Sequence, residues 1–194
     1  MEKQSIRQEI KSLCSQNADK IAEKSGIICQ KIISSLEYER AKVVLAYMAL
    51  KDEVNLGLVI LDALKKGKKV AVPKIMDFEK GEMQFFYLDG KQALNSQTES
   101  GTLGISEPDE NLLVPVNLNK LKNKKTLILV PGRAFTLSGD RLGRGKGFYD
   151  RFLSELKDKK NITLAGVCFD FQIKKSLPID DRDIKMDRIF TLQV

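Results

Sequence analysis

Three glycines, Gly143, Gly145 and Gly147, alternate with cations in the run RLGRGKG (residues 141–147), directly ahead of a segment with a helical pattern. This composition suits phosphate oxygens. Glycine lets the backbone approach a ligand and aim its N–H groups at it, a helix N-terminus adds partial positive charge, and Arg141, Arg144 and Lys146 supply full charges. The FYD that follows adds an aromatic pair and a carboxylate. Asp150 could hold the Mg²⁺ that accompanies a nucleotide, because hard divalent cations take oxygen ligands and need few from the protein. The loop matches neither familiar nucleotide fingerprint. Asp140 stands where a Walker A loop needs its first glycine, Gly147 stands where it needs a hydroxyl, and Phe148 stands where GxGxxG needs its last glycine. A basic surface turn has the same composition, so composition by itself leaves both readings open.

The chain has no histidine among its 194 residues. That excludes a Ser-His-Asp triad, a Cys-His pair, a His-ligated metal and an imidazole proton shuttle. Carboxylates, amines, guanidinium groups, Mg²⁺ and the substrate's own nucleophiles remain. Phosphoryl transfer fits that inventory, since its catalysis is mostly positioning and electrostatics. The formal charge of +7 would also suit nucleic acid, but only 7% of residues are aromatic and Trp is absent, unlike the common single-strand RNA modules. The lysines fall in short clusters (65, 66, 68, 69; 120, 122, 124, 125; 157, 159, 160) at expected helix ends and turns, where cations face water or complement a helix terminus. Apolar content of 42% and charged content of 30% are those of a soluble globular chain, and no apolar run is long enough for a bilayer. The opening MEKQSIRQEIKS is too charged for a signal peptide. Isolated Cys14, Cys29 and Cys168 indicate buried thiols in a reducing cytoplasm rather than disulfides or a zinc site.

Elements that could position the loop follow from periodicity. Residues 3 to about 36 read as one or two helices, with Asn17 as the break. Val43–Met48 reads as a strand, Val54–Lys66 as a helix ended by Gly67, and Lys69–Pro73 as a parallel strand, forming a βαβ unit. Met83–Leu88 reads as another strand, and residues 89–119 as long loops of little regular structure. Thr126–Val130 leads to the glycine loop, Phe148–Lys157 is an amphipathic helix, and Thr163–Phe169 and Arg188–Leu192 complete about six strands. The expected fold is one three-layer α/β/α domain over residues 1–194, Rossmann-like, with a mostly parallel central sheet. In such sheets ligands bind beyond the carboxyl ends of the strands. Asp52 and Glu53, as ligand groups or helix caps, and Asp180, Asp181, Asp183 and Asp187, as ligand groups or a solvated turn, are the further candidates there.

These features together resemble the 5-formyltetrahydrofolate cyclo-ligase (5,10-methenyltetrahydrofolate synthetase) family over nearly the whole chain. Its most specific part is Pro131-Gly132 and Phe135 followed by RLGRGKGFYDRFL. Lys3 with Arg7, Tyr47, the run Asp52 to Val54, the VPK after the second strand, GISEP (Gly104 to Pro108), and Asp183, Lys185 and Asp187 stand in the same order. The resemblance implies an ATP- and Mg²⁺-dependent ligase acting on a reduced folate, including polyglutamylated forms, as a cytoplasmic monomer without nucleic acid or membrane partners. It places nucleotide contacts on Lys3, Arg7 and the segment Arg141, Leu142, Gly143, Arg144, Gly145, Lys146, Gly147, Phe148 and Tyr149. Metal carboxylates fall on Asp150 and Asp183, folate contacts on Met48, Glu53, Phe148 and Tyr149, and charge neutralisation at the transferring phosphoryl group on Arg144 and Lys146. Thr136, Arg133 and Phe148 depart from the family pattern; Phe148 keeps a stacking surface and loses a hydroxyl.

The implied chemistry needs no histidine. The formyl oxygen of 5-formyltetrahydrofolate takes the γ-phosphoryl group of ATP, N10 of the folate attacks the activated carbon, and phosphate leaves as the ring closes.

Overall fold

A computed structural model describes residues 2–121, 123–156, 160–180 and 183–193. Its centre is a seven-stranded sheet in the order β11-β10-β7-β1-β2-β3-β6. The strands are β1 (Val43–Leu45), β2 (Lys69–Asp77), β3 (Glu82–Tyr87), β6 (Val114–Pro115), β7 (Thr126–Val130), β10 (Ile162–Val167) and β11 (Arg188–Phe190). All neighbouring pairs from β11 to β2 are parallel, and β3 runs antiparallel to both β2 and β6. Side chains alternate across this sheet as strand geometry requires. Val44, Val70, Val72, Leu127 and Leu129 pack under α2 (Ile21–Ile33), α3 (Leu36–Arg40) and α4 (Gly57–Lys65). Val43, Leu45, Ala71, Ile128 and Val130 pack under α5 (Leu118–Leu121) and α6 (Phe148–Ser154). The expected three-layer α/β arrangement is therefore present, and both faces of the parallel strands are buried.

α1 (Lys3–Gln16) ends at Asn17 and docks through Ile6, Ile10 and Cys14 onto Ala134, Leu142 and Leu177. Because Lys3 and Arg7 are four residues apart, that docking sets both cations on one helix face beside the glycine loop. Between β7 and α6 lies a small hairpin of β8 (Ala134–Phe135) and β9 (Arg141–Leu142), so the strand does not run straight into the loop as its pattern implied. Thr136 organises this hairpin: its hydroxyl donates to Asp140 Oδ2 at 2.9 Å and accepts from the Asp140 amide at 3.0 Å.

Several expected boundaries move. β1 pairs only through Leu45, whereas β2 continues to Asp77 because β3 pairs along that length. α4 begins at Gly57 rather than Val54, since the Asn55 side chain accepts the Gly57 amide at 2.8 Å while Val54 and Leu56 enter the core as loop. Helix α6 is only seven residues, shorter than its amphipathic pattern, and Lys157 lies outside the described residues. The segment 89–119 is not a long loop. It holds the hairpin of β4 (Thr98–Ser100) and β5 (Ser106–Pro108), and β6. Fully buried Gln97 supports it by donating to the carbonyls of Asp89, Gln92 and Ala93 and accepting the Asp89 amide. A polar side chain acting as an internal plug leaves no periodic trace.

Lys68 realises the helix-end role expected of the lysine clusters, donating to the carbonyls of Tyr38, Glu39 and Ala41 where α3 ends. Lys122, Lys157 and Lys159 lie outside the described residues. No helix among the described residues is long and apolar enough to cross a membrane.

Candidate active site

The carboxyl ends of β1 and β7 lie side by side, so the residues that follow them meet. After β1 come Asp52 and Glu53; after β7 come Arg133 and, beyond the small hairpin, Arg144. Arg144 Nε donates to Glu53 Oε1 at 2.8 Å, while its NH2 donates to Asp52 Oδ1. Arg133 NH1 holds the other Asp52 oxygen. The capping reading of Asp52 and Glu53 is thereby corrected: the first amide of α4 goes to Asn55, and these acids are held by guanidinium groups instead. Arg133, a departure from the family pattern, has its partner in Asp52.

Burial pushes the Asp52 pKa up, but its hydrogen bonds and charge attraction to Arg144, then Arg133, outweigh that and hold it below the ordinary carboxylate range. A carboxyl whose folded-state pKa is depressed contributes stability above its unfolded pKa of about 3.9, lost as pH falls through the lower folded value. Replacing Asp52 by Asn should therefore flatten the fall of unfolding free energy between about pH 5 and pH 2, measured by denaturant titration at stepped pH.

The glycine loop stands between two cavities. One, about 580 Å³, is lined by Lys3, Arg7, Gly143, Gly145, Lys146, Gly147, Asp150, Arg151 and Asp183. The other, about 410 Å³ and mostly apolar, is lined by Met48, Glu53, Phe78, Met83, Glu107, Phe148 and Tyr149, among others. Gly143, Lys146, Gly147 and Asp150 border both. Backbone conformation explains one of the glycines: Gly147 has φ +74° at the start of α6, and a Cβ there would lie 2.8 Å from the Arg151 guanidinium. Arg7 Nε donates to the Gly143 carbonyl at 2.9 Å, tying α1 to the loop.

Lys3 is no frayed terminus. Its ammonium sits 2.9 Å from both Asp180 and Asp183, whose charges and hydrogen bonds raise its pKa. The acidic cluster splits: Asp180 and Asp183 face the charged cavity, Asp187 accepts the Leu164 amide at 2.8 Å in the sheet, and Asp181 lies outside the described residues. Asp183 is partly buried, while Asp180 stays exposed although it pairs with Lys3.

Asp150 Oδ1 accepts from Arg141 NH2 at 2.5 Å, and Asp183 Oδ2 accepts from Lys3 and the Asp180 amide. Each of these contacts occupies a single oxygen of its carboxylate. Asp150 and Asp183, which line one cavity together with Asp180, fit Mg²⁺, which keeps several waters and needs one or two protein carboxylates.

Not every sequence candidate reaches a cavity in the expected way. Arg141 is buried at 5% exposure, hydrogen-bonded to the Pro131 carbonyl and to Asp150, and borders the apolar cavity rather than the charged one. Leu142 packs its side chain under α1. Arg144 borders the apolar cavity and a third one, about 730 Å³, lined also by Met48, Asp52 and Asn55, but not the charged one. Tyr149 joins both sheet-face clusters and lines the apolar cavity, so it packs the core and faces the site together; burial raises its pKa, and its hydroxyl has no partner among the described residues. Phe148 leans against Phe78 with ring centroids 6.0 Å apart. Phe78, Arg151 and Glu107 are among the lining residues that the sequence reading does not mark as site residues. Phe78 lies beyond the expected end of β2, Arg151 was read only as part of a helix although its NH1 donates to the Lys146 carbonyl at 2.6 Å, and Glu107 lies in the segment read as loop.

Fold and site thus define an α/β enzyme with a glycine-rich, cationic loop at the carboxyl ends of its parallel strands, set between a charged cavity and an apolar one. The model of the 5-formyltetrahydrofolate cyclo-ligase family matches residues 1–192, and the chain belongs to that family. It is 29% identical to the 5-formyltetrahydrofolate cyclo-ligase of Mus musculus over 191 residues, covering 96% of this chain and 92% of the mouse protein. The NMR structure of Aquifex aeolicus 5,10-methenyltetrahydrofolate synthetase superposes with TM-score 0.78 at 30% identity, covering 100% of this chain and 91% of that one. A 5,10-methenyltetrahydrofolate synthetase structure from Mycoplasma pneumoniae, 21% identical, shares the fold with TM-score 0.72 and covers 98% of both chains.

Proposed function

We propose that this enzyme converts 5-formyltetrahydrofolate to 5,10-methenyltetrahydrofolate with consumption of ATP, in the presence of Mg²⁺, and release of ADP and phosphate. The observation that carries the reading is the pair of cavities meeting along one loop, with Lys146 and Asp150 in their common wall. A charged chamber beside a mostly apolar one suits a polyphosphate beside a flat heterocycle, and phosphoryl transfer requires the two reactants to meet at one point.

Lys3, Arg7 and Arg151 hold the polyphosphate in the charged cavity. Mg²⁺ held by Asp150 and Asp183 would neutralise charge on the phosphate oxygens. Lys146, at the junction, stabilises charge developing on the transferring phosphoryl group, with Arg144 acting from the folate side. Glu53 and Met48 contact the pterin, and Phe148 and Tyr149 give it apolar surface. Once the formyl oxygen is phosphorylated, N10 attacks the formyl carbon, the carbon–oxygen bond breaks, and phosphate departs with that oxygen. The folate supplies the nucleophile, so no covalent enzyme intermediate is required. We further propose that the chain acts as a single-domain monomer in the cytoplasm, a reading supported by the buried free thiols of Cys14, Cys29 and Cys168.

The test is near-ultraviolet absorbance of purified protein with 5-formyltetrahydrofolate, ATP and Mg²⁺. The conjugated methenyl product should accumulate only in the complete mixture. Folded, nucleotide-binding protein that yields no such band would sink the folate assignment.

A further inference from the structure

Glu107 on β5 is 3% exposed and lines the apolar cavity, yet its Oε1 has no hydrogen-bond partner among the described residues. Lys74, the cation whose charge acts on it, is hydrogen-bonded to Glu99 and paired with Glu110 instead. An unmet buried acceptor is expensive, and native structures retain few of them, so such a group in a cavity wall calls for a partner from outside the chain. The other carboxylates lining this cavity are differently placed: Arg144 occupies Glu53 Oε1 and the Leu50 amide its Oε2, while Asp150 Oδ1 accepts from Arg141.

The β4–β5 hairpin is shaped around the Glu107 side chain. A Cβ on Gly101 would lie 2.3 Å from Glu107 Cγ and Cδ and 2.8 Å from Oε1, so only a glycine leaves room for the carboxyl there. Burial holds its pKa above the ordinary range although the backbone amides of Ile75 and Thr102 act on the carboxyl in the opposite sense, a bias that a further N–H donor at Oε1 would reverse. We propose that Glu107 is a substrate-binding carboxyl, accepting a hydrogen bond from the N–H-bearing edge of the flat heterocycle that occupies this cavity. The proposal rests on the reading of the cavity as the reduced-folate site and adds a second recognition group to it.

The experiment compares wild type, Glu107→Met and Glu107→Gln in the methenyl absorbance assay. Methionine removes the acceptor at similar size, and should raise KM for 5-formyltetrahydrofolate about tenfold with KM for ATP unchanged; glutamine keeps an acceptor oxygen and should recover most of that loss. A folded Glu107→Met protein with wild-type KM for the folate overturns the proposal. Wild type that forms no methenyl product overturns the folate reading and this proposal together, which separates that failure from the first. Should the methionine variant not fold, wild type labelled with ¹³C at the glutamate carboxyls decides, with the Glu107 resonance identified by its loss in Glu107→Gln. Its shift on adding 5-formyltetrahydrofolate, and not on adding ATP, supports the assignment; an unmoved resonance overturns it.

Discussion

Replacing Arg144 by alanine should lower turnover about 10²- to 10³-fold, the usual consequence of removing one preorganised charge from a reacting centre. The same change should reduce folding stability by about 1–3 kcal/mol, because it strands Glu53, which is 8% exposed and has Arg144 as its cationic partner. The structure makes the residue serve two purposes. A second substitution separates them: Glu53→Gln removes the stranded charge, so Arg144→Ala in that background should lose less stability while keeping its rate defect. Arg144→Lys should fall between, since an ammonium cannot span two carboxylates as the planar guanidinium does. Kinetics and denaturant unfolding on the same preparations check this. A variant that loses stability but turns over at the wild-type rate while folded would reduce Arg144 to a strut between loops.

Asp150→Asn should have an effect of similar size through the metal. On the proposal that Asp150 holds Mg²⁺, its loss weakens metal binding, and a metal that screens phosphoryl charge contributes several kcal/mol, so a loss of about 10²-fold in turnover is expected at ordinary Mg²⁺ concentration. Raising Mg²⁺ should recover part of it. Asparagine retains an oxygen for Arg141, so the buried guanidinium keeps a hydrogen bond and the fold survives. A Mn²⁺ titration of the ATP complex followed by electron paramagnetic resonance supplies a readout independent of turnover. An unchanged metal affinity and activation midpoint would mean that Asp150 serves only to fix Arg141.

Lys146 explains why these effects should be large. It borders both cavities, stands 4.3 Å from the centroid of Phe78, and pairs with exposed Glu79 only at 3.6 Å. Exposed pairs of that kind contribute little, which leaves the ammonium available to a ligand.

The sequence by itself determined the architecture and the inventory of side chains available for chemistry. Lack of histidine, the alternating glycines and cations at residues 141–147, and apolar runs such as Thr126–Val130 are local properties, and local properties follow from composition and period. The order of motifs carried the family, and it made Asp150 and Asp183 candidates for a metal site without any coordinates. Only the tertiary structure decided what each charge faces. Lys3 and Asp183 are separated by most of the chain and meet at 2.9 Å; Arg144 reaches Asp52 and Glu53 across two strand ends; Glu107 enters the site on a hairpin supported by a buried glutamine. Such pairings depend on the register of distant strands and on where α1 docks, and sequence periodicity carries neither, because it records which face of an element is buried and not what lies opposite it.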